Sequence, residues 1–275
     1  MQGEPLHQGL PTQPPLIWLL AGTGDGPPLA AALLRRGWRL RVSVVGATAT
    51  RAYTPHPLLT LQVGDLADDG AVERELAQHR PRWVVDATHP FARRISERLE
   101  RVCGGRDQAL LRLRRPELGA DLGPEQGSCE PLNGLGALAQ LDLSHERLLL
   151  AIGSRQLPQA MAASNAAAHF ARILDRPASL QLALAAGLSD GQLACLHPSG
   201  TPQSGGPEAG ALERALCRRW RISAVLCRAG GGRSEAVWHG VAQQLGLRLL
   251  VLQRPAGPAS EGLPLQPLLE KLGHP

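Results

Sequence analysis

Short strand-like runs recur along the whole chain, each too brief for a helix, with turns and helical patterns between most of them. In the first half they fall at 16–21, 39–45, 58–63, 83–85 and 109–113. In the second half they fall at 148–152, 169–174, 192–196, 223–227 and 248–252. A continuous apolar run bounded by turn residues fits a strand buried on both faces, the setting of a parallel sheet. Strands that alternate with helices build doubly wound α/β layers. A length of 275 residues suits about two domains, each with its own core. The expected fold is α/β, with two Rossmann-like doubly wound domains, mainly parallel sheets and a cleft between them. Expected bounds are a disordered tail over 1–15, a first domain over 16–118, a second over 119–256 and a C-terminal tail over 257–275. Residues 117–136, rich in Gly and Pro, read as a linker, and 198–210 as a flexible loop.

One stretch concentrates chemistry at such a strand end: Val84-Val85-Asp86-Ala87-Thr88-His89-Pro90-Phe91-Ala92. A carboxylate, a hydroxyl and an imidazole follow the apolar run within four residues. Pro90 suits the first position of a helix, and Ile95, Leu99 and Val102 continue at helical spacing. The cluster therefore sits where a parallel strand hands over to a helix, the place where open α/β sheets bind ligands. The plainer reading is that Asp86 and Thr88 cap a helix and His89 is a surface turn residue.

The first strand leads into Gly22-Thr23-Gly24-Asp25-Gly26, then Pro27-Pro28 and a helical pattern. Strand, glycine-rich turn and helix is how a dinucleotide's phosphates are cradled, although Pro27 stands where a third glycine would be. No acid follows the second strand to hold ribose hydroxyls. Thr48, Thr50 and Arg51 stand there instead and suit a 2′-phosphate, which favours NADP; a solvated loop is the plainer alternative. Near the end, Arg228-Ala229-Gly230-Gly231-Gly232-Arg233-Ser234-Glu235 reads as a second anion-cradling turn before a helix capped by Ser234.

Composition narrows the partners. Lys271 is the only lysine among 29 basic residues, net charge is +5, and aromatics make up 3%. Nucleic-acid surfaces cluster basic residues with aromatics, whereas here arginines are spread along the chain, so an anionic small molecule is favoured over nucleic acid. No apolar run approaches membrane-spanning length, and the polar, proline-rich start is unlike a signal peptide, so a cytoplasmic protein is expected. Five cysteines without a Cys-x-x-Cys pair fit reduced thiols better than disulfides or zinc, and no metal is expected.

Laid side by side, these pieces resemble the precorrin-6A reductase family, NADPH-dependent reductases of the corrin ring in cobalamin biosynthesis. The resemblance spans about residues 16–255, and its most specific motif is Asp86-Ala87-Thr88-His89-Pro90-Phe91-Ala92. Ala21-Gly22-Thr23-Gly24-Asp25 looks like the family's Gly-Gly-Thr-Thr-Glu loop. Leu111-Arg112-Leu113-Arg114-Arg115-Pro116, Ile152-Gly153-Ser154-Arg155-Gln156 and Arg254-Pro255 match in kind and order. Arg228-Ala229-Gly230-Gly231-Gly232 lies where the family usually reads Lys-Asn-Ser-Gly-Gly, so Arg228 replaces a lysine and two polar side chains are lost. Gly24 replaces a threonine, and a further family lysine appears as Val237 or Trp238.

The resemblance implies reduction of the precorrin-6A or cobalt-precorrin-6A macrocycle, a polycarboxylated tetrapyrrole, by hydride from NADPH. It implies that the first domain binds NADP through Gly22, Thr23, Gly24, Asp25, Thr48, Thr50, Arg51, Asp86, Thr88 and His89. Substrate contacts are then expected from Phe91, Arg155, Arg228, Gly231, Gly232, Arg233 and Ser234. His89 is the candidate proton donor, with a hydrogen bond to cofactor or substrate, or a water donor, as alternatives. A monomer is the expected state, with no sequence feature to fix it. Two other classes stay open: another NADP-dependent reductase of an anionic metabolite, and a non-enzymatic NADP sensor. The Tyr-x-x-x-Lys of short-chain dehydrogenases is absent, because Tyr53 and Lys271 are the only residues of their types. A sensor would have no use for a second anion-binding turn.

Overall fold

The computed structural model describes residues 13–22, 24–118, 129–196, 209–255 and 262–275. It divides into two units, one of Met1–Arg114 with Glu261–Pro275 and one of Arg115–Ser260. Most of the expected tail over 1–15 lies outside the described residues, as do Thr23, half of the 117–136 linker and most of the 198–210 loop.

In the first unit, β1 (Leu16–Ala21), β2 (Arg39–Val44), β3 (Leu59–Val63), β4 (Trp83–Ala87) and β5 (Leu110–Arg112) form one parallel sheet in the order β3-β2-β1-β4-β5. Helices α1 (Gly26–Arg35), α2 (Asp69–His79) and α3 (Arg93–Gly104) connect the strands. Side chains alternate across β1, so Ile17 and Leu19 enter one apolar cluster while Trp18 and Leu20 enter another. The first cluster takes Leu29 and Leu33 from α1; the second takes Val72, Leu76, Leu99 and Val102 from α2 and α3. A run buried on both faces has to be apolar at every position, and every residue of β1 is buried.

The second unit holds a six-stranded parallel sheet in the order β6-β11-β10-β7-β8-β9. Its strands are β6 (Cys129–Leu132), β7 (Arg147–Leu150), β8 (Ala168–Ile173), β9 (Leu193–Cys195), β10 (Ala224–Arg228) and β11 (Arg248–Leu252). Between them run α4 (Leu157–Ala162), α5 (Pro177–Ala185), α6 (Ala211–Trp220) and α7 (Arg233–Leu245). Trp220 and Trp238 from the last two pack with Val225, Leu249 and Val251 of the sheet.

Ten strands fall within a residue or two of their sequence-expected places, and two elements do not follow from pattern. Strand β6 lies inside the expected linker: it is an edge strand paired only to β11, with Leu132 its only buried residue and a proline within it. An edge strand tolerates Pro131 and needs no apolar run, so periodicity does not reveal it. Glu130 and Arg248 fasten it, with two bonds of 2.7 and 2.9 Å between guanidinium and carboxylate. Arg248 holds the Glu130 carboxyl below its ordinary range.

The second element is α8 (Leu265–Leu272), within what the sequence suggests is a tail over 257–275. Leu268, Leu269 and Leu272 join the first unit's core beside Leu33 and Trp38. Leu263 pairs with Leu113 just before it. The helix spans eight residues, with three leucines on one face, too short for periodicity to stand out. Leu268 is fully buried, so Leu268→Ala should lower unfolding free energy by about 2–4 kcal/mol in urea titration. A loss under about 1 kcal/mol would mean that the helix is peripheral to the first core.

Candidate functional site

The order β3-β2-β1-β4-β5 reverses direction between β1 and β4, and their carboxyl ends lie side by side with Ala21 opposite Ala87. Ligands of open α/β sheets bind outside such a reversal. Gly22 follows β1 directly and is exposed, and a Cβ built on it meets nothing within 4 Å. Gly24 is exposed as well. Helix α1 then starts at Gly26 after Asp25, which makes no side-chain cap bond. A Cβ on Gly26 would collide with the Tyr53 hydroxyl and stand 2.6 Å from the Ala21 Cβ. The close helix–strand approach that needs a third glycine thus occurs at Gly26, one residue before Pro27. The space beside Gly22 is thus open, just ahead of a helix start whose first amides lack intrahelical partners.

Thr48, Thr50 and Arg51 share one 3-10 turn, Ala47–Ala52, after β2. The Thr50 hydroxyl donates to the Ala47 carbonyl at 2.7 Å and so serves the turn, while Thr48 and Arg51 are exposed. Tyr53 closes this turn through its amide, and its buried hydroxyl donates to the Gly22 carbonyl at 2.8 Å.

At the end of β4, Asp86 is 2% exposed and its carboxylate accepts four hydrogen bonds. Oδ1 takes the Thr88 amide at 2.9 Å and the Thr88 hydroxyl at 2.7 Å. Oδ2 takes the Ser96 hydroxyl from α3 and the Arg112 guanidinium from β5, both at 2.8 Å. Four donors fill the acceptor positions of a carboxylate, so the geometry leaves Asp86 none for a ligand, and the Thr88 hydroxyl proton is committed inward too. His89 is exposed beyond them, and the Phe91 amide donates to its Nδ1 at 3.2 Å. That bond puts the proton of the neutral ring on Nε2. The Phe91 ring stands 5.7 Å from the imidazole.

In the second unit the order reverses between β7 and β10. After β7 come Gly153 at φ +85° and the turn Ser154–Gln156, with Arg155 exposed. After β10 comes Arg228, whose guanidinium packs where a Gly153 Cβ would be. Burial holds the Arg228 pKa below the ordinary arginine value.

Gly231, at φ +65°, has its Cβ position filled by Pro116, Arg254 and Arg115, so both its conformation and its space call for glycine. Arg254 donates to the Ala229 and Arg115 carbonyls, each at 2.9 Å, and also to Pro116. Part of the expected anion cradle is occupied by the chain itself: Gly230 N–H donates to the Arg228 carbonyl at 2.7 Å, and Gly231 N–H to Glu235 Oε2 at 2.6 Å. The helix cap is Gly232, with Arg233 opening α7, so Ser234 sits inside the first turn and not at the cap. The buried Glu235 carboxylate reaches back over that turn and starts the helix earlier than the serine suggests. Gly232 is half-buried, while Arg233 and Ser234 are exposed.

Sequence reasoning missed Tyr53, Ser96, Arg112, Glu235 and Arg254, all of which act through partners set by the fold. Glu235 alone left a local signal, an acid three residues after the cap. Among the described residues no group of three or more His, Cys, Asp or Glu could hold a metal ion, and no helix is long and apolar enough to cross a membrane.

Two α/β units with parallel sheets, each with a reversal in its strand order, define a protein of the Rossmann-like class. The chain belongs to the precorrin-6x reductase (CbiJ/CobK) family, whose pattern matches residues 16–271, and it is therefore an oxidoreductase by family. It is similar to the cobalt-precorrin-6A reductase of Synechocystis sp., 32% identical over 241 residues, covering 87% of this chain and 88% of the relative. The precorrin-6A reductase of Rhodococcus erythropolis is 30% identical over 245 residues, covering 88% and 90%. A solved structure of CobK precorrin-6A reductase shares the fold with a TM-score of 0.73 at 23% identity, over 94% of this chain and 96% of that one.

The Asp86 cluster yields a stability test. Arg112→Leu leaves a buried carboxylate without its cation and should cost about 3–5 kcal/mol in urea unfolding. Ser96→Ala removes one neutral donor and should cost about 1–2 kcal/mol. Equal, small losses for the two would show that the four bonds do not act on one buried charge.

Proposed function

We propose that this protein reduces the precorrin-6A or cobalt-precorrin-6A macrocycle to its 6B form in cobalamin biosynthesis, with NADPH as reductant, in the cytoplasm. The observation that carries this reading is the open Gly22 turn at the β1/β4 reversal, beside the Asp86–Ala92 turn, in a chain of this family. In this reading Gly22, Gly24, Asp25 and the start of α1 hold the cofactor's pyrophosphate. Thr48 and Arg51 hold its 2′-phosphate, charge-assisted by the guanidinium. NADPH supplies the hydride when bound. Asp86 and Thr88 hold the turn in place and do not touch the cofactor. His89, with Nδ1 engaged, donates a proton from Nε2.

The exposed Arg155 and Arg233 meet substrate carboxylates, with Gly232 and Ser234 at the rim. Arg228, packed against Gly153, contributes positive charge from beneath, and Phe91 offers a ring face beside His89. A non-enzymatic sensor is disfavoured, since the second unit's basic turn has no role in sensing a nucleotide.

The assay that tests the reading is anaerobic oxidation of NADPH with precorrin-6A or its cobalt form, followed by absorbance. No oxidation with either macrocycle would end the reading. NADPH should bind more tightly than NADH, and Arg51→Ala should weaken NADPH by about 1–3 kcal/mol while sparing NADH. Equal weakening of both cofactors would remove Arg51 from the 2′-phosphate.

Gly22→Val should fold normally, because its side chain enters open space, yet lose cofactor binding. Retained affinity in the folded variant would make Gly22 a plain turn residue. Arg155→Ala should raise the macrocycle KM about tenfold with NADPH affinity unchanged, the loss of one charge-assisted contact. An unchanged KM would remove Arg155 from the substrate site.

A further inference from the structure

We infer that Tyr53, through its hydroxyl on the Gly22 carbonyl, is a positioning residue that sets the glycine turn for the cofactor's phosphates; this rests on the NADPH reading above. The inference starts from three facts about atoms that sequence keeps far apart. Tyr53 is 5% exposed and its hydroxyl donates to Gly22 O at 2.8 Å, across 31 residues of chain. The hydroxyl occupies the space where a Gly26 Cβ would lie, under the start of α1. On the outer side, a Cβ on Gly22 would meet nothing within 4 Å.

A glycine turn without such a tie can rotate its peptide units at little cost, because no Cβ restrains them. A carbonyl oxygen that swings outward presents partial negative charge to a phosphate and repels it. The Tyr53 hydroxyl draws the Gly22 carbonyl inward, toward the buried side, and keeps that dipole off the anion's position. Preorganisation of this kind raises affinity by removing a reorganisation cost, with no new contact to the ligand.

The same side chain ties two segments together. Tyr53 N–H donates to Thr50 O at 3.0 Å and closes the turn that carries Thr48 and Arg51. One residue thus links the turn read as holding the 2′-phosphate to the turn read as holding the pyrophosphate. Gly26 is its counterpart, since any larger residue there would expel the hydroxyl. Burial raises the Tyr53 pKa well above the usual phenol value, so the group stays a donor throughout the working pH range.

The test is Tyr53→Phe, which keeps the ring in the core and removes only the donor. NADPH affinity should fall about five- to tenfold by titration calorimetry, the loss of one hydrogen bond. The KM for NADPH should rise in parallel, while kcat at saturating cofactor stays within about twofold of wild type. Gly26→Ala, which displaces the hydroxyl by a different route, should weaken NADPH as well, with a lower Tm from its approach to Ala21. A Tyr53→Phe protein that binds NADPH as tightly as wild type overturns the inference, whatever its Tm. A lower kcat at saturation with unchanged NADPH affinity overturns it too. If wild type itself fails to bind NADPH, the cofactor reading falls first and this inference with it.

Discussion

Parallel strands cannot be joined by a tight turn, and this constraint organises the molecule. Every strand must be followed by a crossover that returns the chain to the same end of the sheet, and in practice a helix makes the crossing. All carboxyl-end loops therefore collect along one edge of each sheet. In the first unit the reversal between β1 and β4 puts the Gly22 turn beside the Asp86–Ala92 turn. In the second, the reversal between β7 and β10 puts the Gly153 turn beside Arg228. Segments 60 or more residues apart become neighbours without any side chain having to recognise another.

Much of this was legible because strands buried on both faces must be continuously apolar. β1 and β11 fall where the apolar runs do, to the residue, and no other element type explains runs of that length between turn signals. What the pattern does not carry is which strand lies beside which, and so which loops meet. Elements that satisfy weaker constraints are hidden too. β6 buries one residue and survives on its pairing to β11, and α8 works through three leucines that matter only because a core waits for them. The Ser234 cap fails for a related reason. A serine before a helix is a good local guess, but the buried Glu235 settles the start of α7 by bonding Gly231.

The signature stretch illustrates how a motif divides its labour. Asp86 and Thr88 look like ligand-binding groups in sequence, since they are polar residues at a strand's carboxyl end. In the fold, the carboxylate is enclosed by donors from its own turn, from α3 and from β5. An ion so enclosed trades the loss of water for four well-placed bonds, and it fixes the path of the chain into His89 and Phe91. The partners Ser96 and Arg112 are 10 and 26 residues away, so no local pattern announces them. The half of the motif that points outward begins at His89.

The arginine bias needs the same correction. Read as composition, a chain with one lysine suggests guanidinium groups kept for a polycarboxylate. The structure spends many of them on itself. Arg41 pairs with Glu75, Arg98 and Arg101 with Asp69, Arg112 with Asp86 and Arg248 with Glu130. Arg147 and Arg254 hold backbone carbonyls that a single-pronged ammonium would not span as well. Asp69 shows the electrostatic result, its carboxyl held below the usual range chiefly by Arg101. Arg51 after β2, Arg155 after β7 and Arg233 at the start of α7 are exposed instead, each just beyond the carboxyl end of a parallel strand. The number of arginines is therefore a poor measure of anion binding, because a guanidinium fork serves the chain's own carboxylates and carbonyls equally well.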